Sequence, residues 1–208
     1  SEGAGGSSAA ADACTCDLRK PTGRTSNLLT HTFVHRGAPM PPRLRGKWAL
    51  GITPRNFTWF MKDKLAVCER PGGYGDNHRR VRRQEEIIWI RENHFGCVVS
   101  IITAPHNLHN YDELGMPYRH HPLLNADDMD AWLKSFYRDL DSLLRENKKL
   151  IVHAEEVSDR LIGLMGGFIR WSGLVDDASQ AIMLTERIGS RQLDPSSREL
   201  ILRVHELR

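Results

Sequence analysis

From Phe57 onward the apolar positions gather into short dense runs separated by polar turns, whereas before it they are scattered. Phe57–Phe60 and Leu65–Cys68 flank the polar turn Met61–Lys64, a pattern that predicts a β-hairpin-like start. The loop RPGGYGDN at 70–77 is punctuated by Gly and Pro, and Asp76 or Asn77 can cap a helix over about 78–94. Within that stretch Val81, Glu85, Ile88 and Glu92 share one stripe while Ile87, Ile90 and Arg91 lie beside it, so the expected apolar face is narrow. CVVSII at 97–102 is a β-branched run of the kind that forms buried parallel strands. A His- and Asn-rich loop is expected over 104–115, then a brief extended segment around 116–120. Met129, Trp132, Leu133, Phe136, Leu140, Leu143 and Leu144 recur at helical spacing inside 126–147. Leu150–His153 reads as another short buried strand, and 161–171, 176–188 and 195–207 as helices. Strands alternating with helices predict an α/β fold with a mostly parallel central sheet flanked by helices.

The chain of 208 residues suits one domain with an extension. We place an extended arm at 1–54 and the domain at 55–208. Residues 1–16 are small and polar without periodicity, and Pro21, Pro39, Pro41, Pro42 and Pro54 interrupt residues 17–54, so the arm buries too little apolar surface to order alone. Residues 1–60 hold eight basic side chains, Arg19, Lys20, Arg24, Arg36, Arg43, Arg45, Lys47 and Arg55, against three acidic ones. With Arg79, Arg80, Arg82 and Arg83 the arm supplies candidate contacts to RNA phosphates or to an acidic protein surface, as in subunits that grip neighbours within large assemblies. The blander reading of the 79–83 run is a solvated helix face balanced by Glu85 and Glu86.

No apolar run approaches the roughly 20 residues that span a bilayer, so no membrane role is expected. Cys14, Cys16, Cys68 and Cys97 are too few for a disulfide scaffold and lack paired metal-binding spacing, which points to a reducing, intracellular compartment. A chain opening at Ser1 rather than Met is expected to be trimmed or processed, which leaves the cytoplasm and, after presequence removal, the mitochondrial matrix as alternatives. His106, His109, His120 and His121 have no thiol or carboxylate companion at a persuasive ligand spacing, so neither a metal nor another cofactor is expected.

The chemistry concentrates in KKLIVHAEEVSDRLIGLMGGFIRWSGL at 148–174, where a strand empties through a short loop into a helix, an arrangement that aims backbone N–H groups at an anion. This segment resembles the cysteine-dependent dual-specificity phosphatases, whose loop reads H-C-x-x-G-x-x-R-[ST]. His153 matches the histidine and Arg160 the arginine. Upstream, NFTWFMKDKLAVCERPGG at 56–73 is similar to the family's opening segment through Asn56, Phe57, Trp59, Leu65, Ala66, Arg70, Pro71 and Gly72. The resemblance spans roughly 55–205 and implies a dual-specificity-phosphatase-like domain.

The departures bear on function. The family's nucleophilic cysteine attacks phosphorus as a thiolate; Ala154 stands there and has no lone pair to donate. The loop glycine is replaced by Val157, and the hydroxyl residue that assists the leaving thiolate by Leu161. Glu155, Glu156 and Asp159, which bracket Val157 and Ser158, would repel a dianion. Aligned on Pro122, the general-acid position falls on Leu123, or on Asn125 by another count, and neither supplies an acidic proton. We therefore expect no catalytic residue and a pseudophosphatase that serves as a structural or protein-interaction module in a larger complex. The alternatives are an active phosphatase carrying Cys-to-Ala at Ala154, an RNA-contacting subunit of a ribonucleoprotein, and a phospho-ligand-binding module acting through Arg160. Arg160 is alternatively expected in a salt bridge to Glu155, Glu156 or Asp159.

Overall fold

The computed structural model describes residues 50–73, 79–123 and 128–207. The apolar runs become β1 (Thr58–Met61), β2 (Leu65–Glu69), β3 (Cys97–Ser100), β4 (Tyr118–His120) and β5 (Leu150–Ala154). They form a five-stranded sheet in the order β1-β2-β5-β3-β4. Only the β1–β2 pair is antiparallel, and β5 lies between β2 and β3 in parallel register with both. The edges are short: β1 carries a register shift between Trp59 and Met61, and β4 has three residues.

The helices are α1 (Arg80–Glu92), α2 (His109–Glu113), α3 (Met129–Arg145), α4 (Asp159–Trp171), α5 (Ala178–Gly189) and α6 (Pro195–Arg203), with a 3-10 turn at Val204–Leu207. Side chains alternate across the strands, so the two faces of the sheet build separate cores. Leu65, Val67, Val99, Leu150 and Val152 join residues of α3 to α6, whereas Ala66, Cys68, Val98 and Ile151 join Ile87 and Ile90 of α1 and Tyr111 of α2. Asp128, Ser158, Asp177 and Asp194 each accept a backbone N–H at the start of α3, α4, α5 and α6, and Pro195 follows the last of these caps.

Three local expectations change. The His- and Asn-rich stretch contains α2, closed by the Leu114 and Gly115 amides on the carbonyls of Asn110 and Asp112. Helix α1 starts at Arg80 with no side-chain cap; Asp76 and Asn77 lie outside the described residues. Its buried face is Arg83, Glu86, Ile87, Ile88 and Ile90; of the Val81 stripe only Ile88 is buried, and Val81 is exposed. Glu86 can be buried because Arg82 pairs with one of its oxygens at 2.6 Å and the Gly72 amide donates to the other at 2.7 Å.

Helix α4 is the hub of its face and has glycine where neighbours come closest. A Cβ on Gly163 would lie 2.7 Å from the Ser197 Cβ on α6, and one on Gly166 would lie 2.4 Å from Thr185 Oγ1 on α5 and 2.8 Å from Ile201 Cδ1 on α6. Tyr137 of α3 donates its hydroxyl to the Leu164 carbonyl at 2.9 Å. Such packing fixes the start of α4 and hence the loop that enters it. Gly166→Ala should destabilise the protein by about 1–3 kcal/mol through overpacking, read as a lower urea midpoint. An unchanged midpoint would mean that the seam between α4 and α5 has slack.

Candidate functional site

Strand β5 ends at the carboxyl edge of the sheet, where ligands of open α/β folds bind. There Cys68 and Glu69 of β2 stand in register with His153 and Ala154, and Ser100 of β3 with His153 from the other side. His153 is 1% exposed, and its Nε2 lies 3.1 Å from the Tyr111 hydroxyl. Burial, reinforced by the nearby Arg70 guanidinium, lowers its pKa to about 3. The ring is therefore neutral at physiological pH. Burial also raises the Tyr111 phenol well above its ordinary value, so the pair is an uncharged polar plug beneath the loop.

The loop then runs through Ala154, Glu155, Glu156, Val157 and Ser158 into α4. Arg70, just past β2, directs Nη1 to both Glu155 oxygens at 2.8 Å. Val157 points into the main core at 9% exposure and is absent from the described residues with positive φ, so a β-branched side chain sits there without strain. Ser158 caps α4, accepting from the Leu161 amide at 3.5 Å, and Leu161 is 1% exposed in the same core. Leu161 thus fills space where the family resemblance called for a hydroxyl.

Two of the three expected ion-pair partners of Arg160 are engaged elsewhere. Glu155 is taken by Arg70, while Asp159 meets Arg191 at 3.2 Å and also accepts from the Asp194 amide at 3.1 Å. Two of the three acidic side chains are thereby matched to local cations, so the repulsion of anions is weaker than the sequence count implied. Arg160 is exposed at the start of α4. It borders a crevice of about 230 Å³ lined also by Leu123, Ala154, Glu155, Glu156 and Leu161.

Leu123 is half-buried on the crevice wall, its amide bonded to the Ile101 carbonyl at 3.1 Å. Asn125 lies outside the described residues. The nearest described acid in sequence, Asp128, is committed to capping α3 through the Ala131 amide at 2.9 Å. His120 and His121 do not converge: the first bonds the Ile102 carbonyl at 2.8 Å and the second Asp139 at 2.8 Å. Among the described residues no group of three or more His, Cys, Asp or Glu is arranged to hold a metal.

The basic candidates divide. Arg19, Lys20, Arg24, Arg36, Arg43, Arg45 and Lys47 lie outside the described residues. Arg79 and Arg80 are exposed, and Arg82 is engaged with Glu86. Arg83 is a correction: it is 5% exposed and donates to Asn107 Oδ1 at 2.9 Å and Asn110 Oδ1 at 2.5 Å, tying α1 to α2 and to the turn before it. Burial first, then the charge of Arg70, lowers its pKa from the ordinary arginine value. A guanidinium used this way is no surface contact. Sequence reasoning also missed the roles of Arg70 and Tyr111; the position of Arg70 immediately after a buried strand parallel to β5 was the available clue to the first.

No protein-family description and no curated protein matches the chain. Solved structures do. A kinase-associated phosphatase with serine substituted for its catalytic-site cysteine is similar with a TM-score of 0.60 at 20% identity, over 75% of this chain and 95% of that one. Tk-PTP in its active form gives 0.56 at 17% identity, over 73% and 95%. The core catalytic domain of the PP-IP phosphatase Siw14 from S. cerevisiae, in complex with citrate, gives 0.53 at 13% identity, over 74% and 88%. The fold is that of the dual-specificity and protein tyrosine phosphatases.

Because the native state keeps His153 neutral while the unfolded chain protonates it near pH 6.5, the unfolded state binds the extra proton between those values. This contribution to stability is complete above pH 6.5 and is lost as pH falls toward about 3, at up to ~1.4 kcal/mol per pH unit. Urea midpoints measured from pH 7 to pH 4 should fall less steeply in His153→Gln than in the native chain. Equal slopes would show that the ring is not held neutral by the fold.

Proposed function

We propose that this protein is a catalytically inactive member of the phosphatase fold that acts as a structural or protein-interaction module in a larger assembly. The observation that carries the reading is Ala154, the residue that the sequence resemblance aligns with the nucleophile. Strand β5 ends on Ala154, and a methyl group cannot form a phosphoryl intermediate.

Three further features support it. Val157 and Leu161 are built into the core rather than merely tolerated at the loop, so the surroundings of Ala154 are adapted to side chains that a phosphate site does not use. The described thiols offer no substitute: Cys68 is fully buried, with its pKa raised well above the ordinary value, and Cys97 is pushed up to about 12 by burial. The acid positions supply no proton donor, since Leu123 is aliphatic and Asn125 is an amide. An engineered knock-out would account for Ala154 and leave these other features unexplained. The basic arm of residues 1–54 is the part of the sequence best suited to gripping a partner.

The reading is tested with an aryl phosphate and the full chain. Neither the native protein nor Ala154→Cys should turn it over above the buffer rate, because the restored thiol would lack both the glycine-shaped loop and an acid. Turnover by either protein would overturn the proposal.

A further inference from the structure

The crevice beside Ala154 has a neighbour. On the other side of Arg160 lies a second hollow of about 340 Å³, lined also by Met129, Leu133 and Leu200 and rimmed by Glu199 and Arg203. Arg160 borders both. Each hollow therefore offers half-buried apolar surface, Leu123 and Ala154 in the first and Met129 and Leu200 in the second, with one exposed guanidinium between them.

From this juxtaposition we infer that the surface takes a short segment of a partner protein in which a single carboxylate, received by Arg160, is flanked by an apolar side chain on either side. The inference rests on the proposed loss of catalysis and names the chemistry of the partner. A guanidinium receives a carboxylate through two parallel hydrogen bonds, which a singly charged planar group satisfies completely. The charges around Arg160 favour one negative charge over more. Glu155 and Asp159 are held by Arg70 and Arg191 and do not compete for Arg160, Arg203 is held by Asp130, so it adds no open cation, and the exposed Glu156 on the wall of the first hollow disfavours a second acid there. Glu199 on the rim of the second hollow disfavours a second acid there. The first hollow has room for one aliphatic side chain, and burying such a group contributes in proportion to the apolar area removed from water.

The test uses the full chain and two blocked peptides, acetyl-Gly-Leu-Asp-Leu-Gly-amide and its Asn counterpart, titrated by NMR chemical-shift changes. The Asp peptide should bind about tenfold more tightly than the Asn peptide, the size of one charge-assisted contact. Arg160→Gln should abolish that difference, and Ala154→Leu, which fills the first hollow, should weaken both peptides without lowering the melting temperature. Inorganic phosphate at matched concentration should not displace the Asp peptide. Equal binding of the two peptides, no binding of either, or displacement by phosphate would overturn the inference. Phosphatase turnover is a separate readout that bears on the proposed function alone.

Discussion

Everything at the site depends on the confinement of β5. Both of its neighbours run parallel to it, and Leu150, Ile151 and Val152 are fully buried, so its register leaves no freedom in where residues 153 and 154 emerge. A strand covered on both faces cannot slip by one residue without exchanging its two apolar faces. The imidazole of His153 therefore has to live in the interior, and it does so uncharged against Tyr111. The loop begins from a fixed point. Close packing of α4 against α5 and α6 fixes where it ends.

Between those two anchors the chain has balanced its own charges. Arg70 neutralises Glu155 across the β2–β5 boundary and Arg191 neutralises Asp159 at the start of α4, so the carboxylates that form an excess in the linear sequence are largely internal counter-ions. Such half-exposed pairs contribute little to stability individually. Their importance is positional, because they leave Arg160 as the cation facing the crevice.

The architecture was legible in the sequence because its signals are local and redundant. Cys97–Ser100 and Leu150–Ala154 are β-branched, wholly or largely buried runs that admit few other readings, and the i, i+3, i+7 spacing of Leu133, Phe136 and Leu140 marks α3 plainly. What was not legible depends on pairs far apart in the chain. Arg70 and Glu155 are separated by 85 residues, and Arg83 finds its acceptors 24 and 27 residues away. Taken alone, the 79–83 run looks like a solvated basic face; only the approach of α2 and the turn before it shows that one of its arginines is a buried tie. The short α2 was hidden for a similar reason, since five residues are too few for periodicity to register.

The modest borders of the sheet have a consequence for how this molecule keeps company. With a shifted four-residue strand on one margin and a three-residue strand on the other, few unpaired main-chain groups of the described residues stand in sequence to template an incoming chain. Extension of the sheet from molecule to molecule is thus poorly supported. Along these two described strands, contact between molecules falls to side-chain surfaces, which single substitutions tune and salt weakens, more than to the backbone ladder that drives fibrous growth.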